Sequence, residues 1–205
     1  MAFFKTKKDK SPAEPKRSAV EIGLDYLHDV VYILAVVLLL FTFCVRVVIV
    51  SGSSMFSTLA DGDCLLLLNR PLCGELEQGD IVVASMERFK NGEAIVKRVI
   101  ATEGQTVDID FLHGIVYVDG VALEEDYIYS PTNMAEGMEF PLVVEDGCLF
   151  LMGDNRMDSR DSRAPEIGQV DEREILGRAI FLAIPGTGRG EYTVDWDPGR
   201  IGGLN

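Results

Sequence analysis

Val47-Val48-Ile49-Val50-Ser51-Gly52-Ser53-Ser54-Met55-Phe56-Ser57-Thr58-Leu59 is where the chain changes character. Upstream of Ser51, residues 30–50 are apolar except for Thr42 and Arg46. A run of this length suits a helix crossing a ~30 Å hydrocarbon core. Arg46 sits near one end, where a long stem can carry its charge out to the headgroups. The expected transmembrane helix covers residues 23–50. Ser54 follows Val50 so closely that extended backbone would hold it within ~14 Å of the bilayer edge. Whatever this serine reacts with must then present itself at the membrane surface.

The charge divides at the same place. Residues 1–20 carry Lys5, Lys7, Lys8, Lys10, Lys16 and Arg17 against Asp9 and Glu14. From Ser51 onward there are 12 Lys/Arg and 28 Asp/Glu, and the whole chain of 205 residues has a net charge of −14. The basic, proline-containing start reads as a disordered cytoplasmic tail over residues 1–22. The positive-inside rule then places the N-terminus in the cytoplasm and residues 51–205 outside it, a single-pass arrangement in the cell membrane. The opposing reading is a cleaved secretory signal. Its apolar core would be shorter, ~7–15 residues, and would end in a small-x-small site that Val48-Ile49-Val50 does not provide. An acidic outer domain argues against nucleic acid, whose phosphates need a basic face.

Beyond Ser51 the pattern is β. Short apolar runs at residues 64–68, 81–84, 94–100, 107–109, 115–118, 142–144 and 148–152 alternate with turn signals such as Asp61-Gly62, Gln78-Gly79, Asn91-Gly92 and Asp146-Gly147. Residues 115–123 read as a hairpin about Asp119-Gly120. Residues 171–176 suggest one helical turn, and the glycine-rich tail from Pro185 reads as a flexible connection without the lysine of a phosphate loop. The fold class expected is mainly β: one N-terminal transmembrane helix followed by a β-rich domain of antiparallel sheets outside the cytoplasm. Residues 103–147 are expected to form a small cap-like insertion within it. Of the four cysteines, Cys44 lies in the apolar run. A Cys64–Cys73 bridge is compatible with the spacing but not demanded by it. With no CxxC and only His28 and His113, no metal site and no cofactor are expected.

Three stretches carry chemistry. A serine hydroxyl needs a base. His113, the only histidine beyond the membrane run, sits at a turn with no aspartate partner evident, which disfavours a Ser-His-Asp site. Lys97 offers another base. It lies in the middle of Ala94-Ile95-Val96-Lys97-Arg98-Val99-Ile100, sharing a strand face with Ile95 and Val99. A free lysine titrates near ~10.4, and apolar burial can lower that by as much as ~3–5 units, leaving an amine able to take a proton from Ser54. An edge-strand lysine facing solvent is the alternative. The third stretch, Gly153-Asp154-Asn155-Arg156-Met157-Asp158-Ser159-Arg160-Asp161-Ser162-Arg163, lacks the glycine at loop position six and the terminal glutamate of an EF-hand. Its Asp-Arg pairs can pin a loop.

In this order the stretches resemble the bacterial type I signal peptidases, membrane-bound Ser/Lys endopeptidases. The family's Ser-Met-x-Pro-Thr-Leu is similar to Ser54-Met55-Phe56-Ser57-Thr58-Leu59. Its Gly-Asp-Ile/Val box is similar to Gly79-Asp80-Ile81-Val82, and its Lys-Arg-Val box to Lys97-Arg98-Val99. Its Gly-Asp-Asn-Arg-x-x-Ser-x-Asp-Ser-Arg is complete at residues 153–163. The resemblance covers about residues 50–180. It implies Ser54 as nucleophile and Lys97 as general base, with Ser159 orienting the lysine. It also implies an ion network of Arg98, Asp161 and Arg163, with Asp154 and Asn155 holding the loop. Met55, Val50 and Gly52 would line the substrate pocket, and the Ser54 backbone N–H would contribute to an oxyanion hole. The expected partners are secretory preproteins with small-x-small cleavage sites, the lipid bilayer and a nearby secretion translocon. Two departures stand out. Ser57 replaces the motif's proline, which implies a looser turn, and Gly52 cannot supply the hydroxyl some members use in the oxyanion hole. The alternatives weighed are a non-proteolytic relative that assembles surface structures such as pili, and a self-cleaving Ser/Lys regulator. The first is opposed by the presence of both Ser54 and Lys97, the second by the acidic domain and the membrane run.

Overall fold

The computed structural model describes residues 18–204, so most of the basic tail lies outside the described residues. Two units are distinguished, residues 1–40 and 41–205. Helix α1, Ala19–Cys44, has 26 residues. At 1.5 Å per residue it is ~39 Å long, enough to cross a bilayer, and its side chains from Val20 to Phe43 are exposed. It is the one helix among the described residues long and apolar enough to do so.

The helix does not continue to Val50 as expected. Val45–Ile49 form strand β1. Four of these five residues are β-branched, a composition that fits a pleated surface, and they pair antiparallel with the next strand from Val45↔Leu68 to Ile49↔Cys64. Ser54 therefore follows the helix by a strand and a turn, and the backbone between Cys44 and Ser54 can reach ~33–36 Å rather than the ~14 Å inferred from the apolar run.

The remaining strands are β2 (Cys64–Asn69), β3 (Ile81–Ser85), β4 (Ala94–Ala101), β5 (Thr106–Asp110), β6 (Ile115–Val118), β7 (Val121–Ala122), β8 (Leu142–Val143), β9 (Cys148–Met152), β10 (Val170–Asp171), β11 (Ile175–Ile184), β12 (Gly188–Arg189), β13 (Tyr192–Thr193) and β14 (Gly202–Gly203). The main sheet runs β1-β2-β11-β3-β4-β9-β10, with β14 added to β11. The strands β7-β6-β5-β8, from residues 106–143, make a second sheet, and β12-β13 a short hairpin. All the pairings are antiparallel. The β6–β7 turn has positive φ at both Asp119 and Gly120, as its Asp-Gly pair requires.

Three apolar clusters hold the sheets. Val82, Val99, Leu149 and Leu151 form one, and Ile100, Val107, Val116 and Phe150 join the two sheets in another. The third packs Met55 and Leu59, from the turn after β1, on Leu65, Leu67, Val83 and Leu182. Strand β11, which the sequence reading missed, is central, lying between β2 and β3. It approaches β2 so closely at Gly177 that a Cβ there would stand 2.3 Å from the Leu68 carbonyl oxygen. Gly177→Ala is expected to lower the melting temperature through a forced backbone shift of about 1–3 kcal/mol, measurable by thermal denaturation. The four cysteines are free, with Cys73 buried and its Sγ 3.1 Å from the Leu68 carbonyl oxygen.

Candidate active site

Ser54 lies on the turn between β1 and β2. The base of that loop is clamped by Val50 N–H to the Asp63 carbonyl at 2.8 Å and Gly62 N–H to the Val50 carbonyl at 2.9 Å. Asp63 is fully buried and accepts the Ala60 and Gly186 amides at 2.8 and 2.6 Å and an Arg200 guanidinium N–H at 2.6 Å. Ser57 stands where the motif has proline, yet the turn is held by other means. Met55 and Leu59 are buried, the Leu59 amide donates to the Met55 carbonyl at 2.8 Å, and the Thr58 hydroxyl donates to Asp154 at 2.5 Å. Burying two such side chains contributes about 1.5–3 kcal/mol each.

Lys97 reaches Ser54 from the middle of β4, where it pairs with Val82 of β3. Its Nζ lies 2.6 Å from the Ser54 Oγ, and the residue is 3% exposed. Burial is the main influence on its pKa, bringing it down to about 8 against the upward pull of Asp161 and Asp154, with Arg163 adding a smaller downward push. An uncharged lysine is thus accessible near neutral pH, and its lone pair can accept the Ser54 proton.

Arg98 stands apart from the group formed by Asp161 and Arg163, which continues through Glu136, 3.4 Å from both Arg163 and Arg160. Arg98 grips Asp154 in two hydrogen bonds, Nε to Oδ1 at 2.9 Å and Nη2 to Oδ2 at 2.7 Å, and its guanidinium stacks 4.0 Å from the centre of the Tyr127 ring. Arg163 grips Asp161 likewise, at 2.8 and 2.9 Å. Both pairs are buried, and two-pronged contacts of this kind fix orientation as well as charge. Asn155 contacts the nucleophile turn: its amide donates to the Ser54 carbonyl at 3.0 Å and its side chain to the Ser53 carbonyl at 3.2 Å. Ser159 was expected to bond the lysine. Its hydroxyl donates instead to Asp161 at 2.8 Å, so its link to Lys97 runs through the carboxylate whose field acts on the amine.

Several residues of the 153–163 stretch to which the sequence assigns no individual role contribute as well. Gly153 is one: a Cβ there would meet the Ser159 Oγ at 2.2 Å and the Ser54 carbonyl oxygen at 2.4 Å. Gly153→Ala should therefore shift the nucleophile, and a displacement of ~1 Å costs on the order of 10²-fold in rate. Single-turnover cleavage of a preprotein would read that loss directly. Another is Asp158, which accepts the Ser53 hydroxyl at 2.6 Å and so ties the residue before the nucleophile to the loop carrying Ser159. A third is Arg156, fully buried and paired with Glu125 and the Thr132 hydroxyl. Its partners lie more than twenty residues upstream, where no periodicity points to them. Gly52 has its N–H committed to Asp61 at 2.7 Å, which places that donor on a side chain of the same loop.

Lys97 and Ser54 open into a cleft of about 270 Å³ lined by Val48, Val50, Gly52, Met55, Ile95 and Val96, among others. The three residues expected at the substrate pocket therefore all border it. Ser53, Asp158 and Arg160 line it as well.

A buried lysine against a serine on a loop held by paired Asp and Arg is the equipment of a serine hydrolase that needs no histidine. Comparison with known proteins makes the class specific. Residues 23–184 match the family described as signal peptidase, peptidase S26. Over 150 residues the chain is 37% identical to the probable signal peptidase I-1 of Synechocystis sp., covering 69% of this chain and 72% of that one. It is 34% identical to signal peptidase I of Bacillus amyloliquefaciens over 165 residues (76% and 82%), and 34% identical to signal peptidase I T of Bacillus subtilis over 171 residues (79% and 86%). A crystal structure of a signal peptidase I from Enterococcus faecalis aligns with 30% identity and a TM-score of 0.42, covering 51% of this chain and 96% of that one. The chain belongs to the signal peptidase family, peptidase S26, as a type I signal peptidase, a serine endopeptidase.

Proposed function

We propose that this protein removes N-terminal signal peptides from secreted preproteins by a Ser54/Lys97 dyad. The observation that carries the reading is the 2.6 Å approach of Nζ to Oγ by a lysine sheltered from water. Lys97 accepts the Ser54 proton as Oγ attacks the scissile carbonyl. The resulting ammonium then donates that proton to the departing amine, leaving an acyl-enzyme on Ser54. A water molecule, deprotonated in turn by Lys97, releases the signal peptide. The Ser54 backbone N–H is the proposed donor to the oxyanion.

Substrate binding follows from the sheet. β1 is its terminal strand, so an extended peptide can add alongside it and present alternate side chains to the wall of the cleft. Val48, Val50 and Ile95 leave room there for small side chains, which fits a small-x-small sequence before the cut. The apolar helix would anchor the chain in the lipid bilayer, with the N-terminus cytoplasmic and the catalytic domain on the far side, beside the exit of the secretion translocon. Purified full-length protein in detergent micelles is expected to cut a labelled preprotein immediately after an Ala-x-Ala site. Failure to cut such substrates would favour the non-proteolytic assembly role instead.

A further inference from the structure

The Asp161–Arg163 pair beside Lys97 has a second carboxylate behind it. Glu136 stands with its Oε1 3.4 Å from the Arg163 Nη2 and its Oε2 3.4 Å from the Arg160 Nη1, and its side chain is only 3% exposed. It also accepts the backbone amide of Asp161. The segment that carries it wraps around Arg163. The Arg163 Nη1 donates to the Met134 carbonyl at 3.2 Å, and the Met138 amide donates to the Arg163 carbonyl at 3.0 Å. Between them Gly137, with a φ of +117°, passes so near Pro165 that a Cβ would stand 3.2 Å from its Cδ. Residues 134–138 lie outside every stretch that the sequence marks as bearing chemistry. A carboxylate is rarely buried unless it is paired, and this one is paired to the guanidinium that already serves Asp161. Arg160, its other partner, is half exposed and is met on its outer side by the exposed Glu166.

We propose that Glu136 is a positioning residue for the reaction at Ser54: holding Arg163 and the Asp161 backbone from behind, it fixes the Asp161 carboxylate and keeps the group that faces Lys97 net negative. The inference rests on the dyad reading above. Asp161 and Arg163 cancel each other, whereas Asp161, Arg163 and Glu136 together carry one negative charge, and the Arg160 that would offset it is screened by solvent. Asp161, Asp154 and Glu136 favour the Lys97 ammonium, and Arg163 opposes it. Glu136 is in turn pushed above its ordinary pKa by burial and Asp161, against the pull of Arg163, Arg160 and the Asp161 amide. When Ser54 gives up its proton, positive charge appears on Nζ in a place sheltered from water. A negative group already in position stabilises that charge without having to reorganise. Burial makes Lys97 a weaker base, and Glu136 returns part of its basicity.

The test compares pH profiles of kcat and KM for one preprotein cut by full-length protein in micelles. Glu136→Gln keeps the shape of the side chain and removes its charge. Its rising limb should lie about 0.3–0.5 pH unit below that of wild type, a gain at pH 7 of about two- to threefold relative to the variant's own plateau. The plateau kcat should fall by up to the same factor with KM unchanged, because an amine of lower pKa is a weaker base. Glu166→Gln removes the exposed carboxylate on the outer side of Arg160 and should leave the limb and the plateau at their wild-type values. A clamp with no electrostatic part would cost folded protein without moving the limb, whose position does not depend on how much protein is folded. If Glu136→Gln yields no folded protein, Arg160→Gln decides instead: with that cation gone, the limb should move to higher pH. A limb that keeps its wild-type position in the deciding variant, or that moves equally in Glu166→Gln, overturns the role of Glu136 and leaves the dyad reading standing. If wild type cuts no preprotein at any pH, the dyad reading falls and this inference with it.

Discussion

Ser54→Ala and Lys97→Met should each reduce preprotein cleavage to background, a loss of at least about 10⁴-fold, because removing either half of a nucleophile–base pair removes the covalent route. The two losses should not add: the double variant is expected to be no worse than either single one. Stability separates this outcome from misfolding. The folded protein lowers the Lys97 pKa from 10.5 to about 8, which at 1.36 kcal/mol per unit corresponds to about 3 kcal/mol of cost for burying the charged form. The unfolded chain binds this proton more tightly, so between about pH 8 and 10.5 stability rises with pH, and below about pH 8 the full penalty applies. Methionine matches the stem and carries no charge. Lys97→Met should therefore melt at a higher temperature than wild type at neutral pH while being inactive, as expected where function is kept at the expense of stability. An inactive variant that is also strongly destabilised would mean that Lys97 serves packing and not proton transfer.

The second large effect falls on the Asp161–Arg163 pair. Burial tends to raise the Asp161 pKa, but the hydrogen bonds and charge of Arg163 hold it below its ordinary value. Arg163→Ala leaves that carboxylate buried without its partner, and breaking such a pair costs about 3–5 kcal/mol. Denaturant unfolding should show the loss as a lower midpoint. The same change should be visible in the chemistry of whatever protein remains folded. Arg163 lowers the Lys97 pKa and Asp161 raises it, so the activity of Arg163→Ala should rise at a more alkaline pH than wild type. Asp161→Asn should shift it toward lower pH. A stability loss with an unmoved pH profile would confine the pair to a purely mechanical role.

The parts of this structure that were legible in the sequence are those written in local chemistry. Alternation about Lys97 identified β4 and gave the lysine an apolar face, and Asp119-Gly120 announced its hairpin through a turn that needs positive φ at both positions. Where several structures share one local signal, the sequence misled. The apolar run up to Val50 has no internal punctuation, so the change from helix to strand at Cys44 was invisible until β2 was available to pair with Val45–Ile49. The single turn expected within residues 171–176 is present by contrast, started by a capping box of Asp171 and Glu174 and spanning Glu172–Glu174 before β11. The aromatic contacts of Tyr192 with Phe56 and Tyr129 join residues far apart in the chain, and only folding reveals that the tail packs beside Phe56 of the nucleophile turn. Arg98 was grouped with Asp161 and Arg163 for the same reason. Its actual partner, Asp154, is set by the pairing of β4 with β9, where Arg98 stands opposite Met152.

The most direct test of a neutral lysine acting on Ser54 is kcat/KM for a single preprotein measured from about pH 6 to 10 in micelles. With the Lys97 pKa lowered to about 8, only about a tenth of the amine is uncharged one unit below that value. The rate should then climb close to tenfold per pH unit at low pH and level off above about pH 8. A profile that stays flat across the range, or that still rises tenfold per unit at the alkaline end, would contradict a buried, uncharged Lys97 as the base.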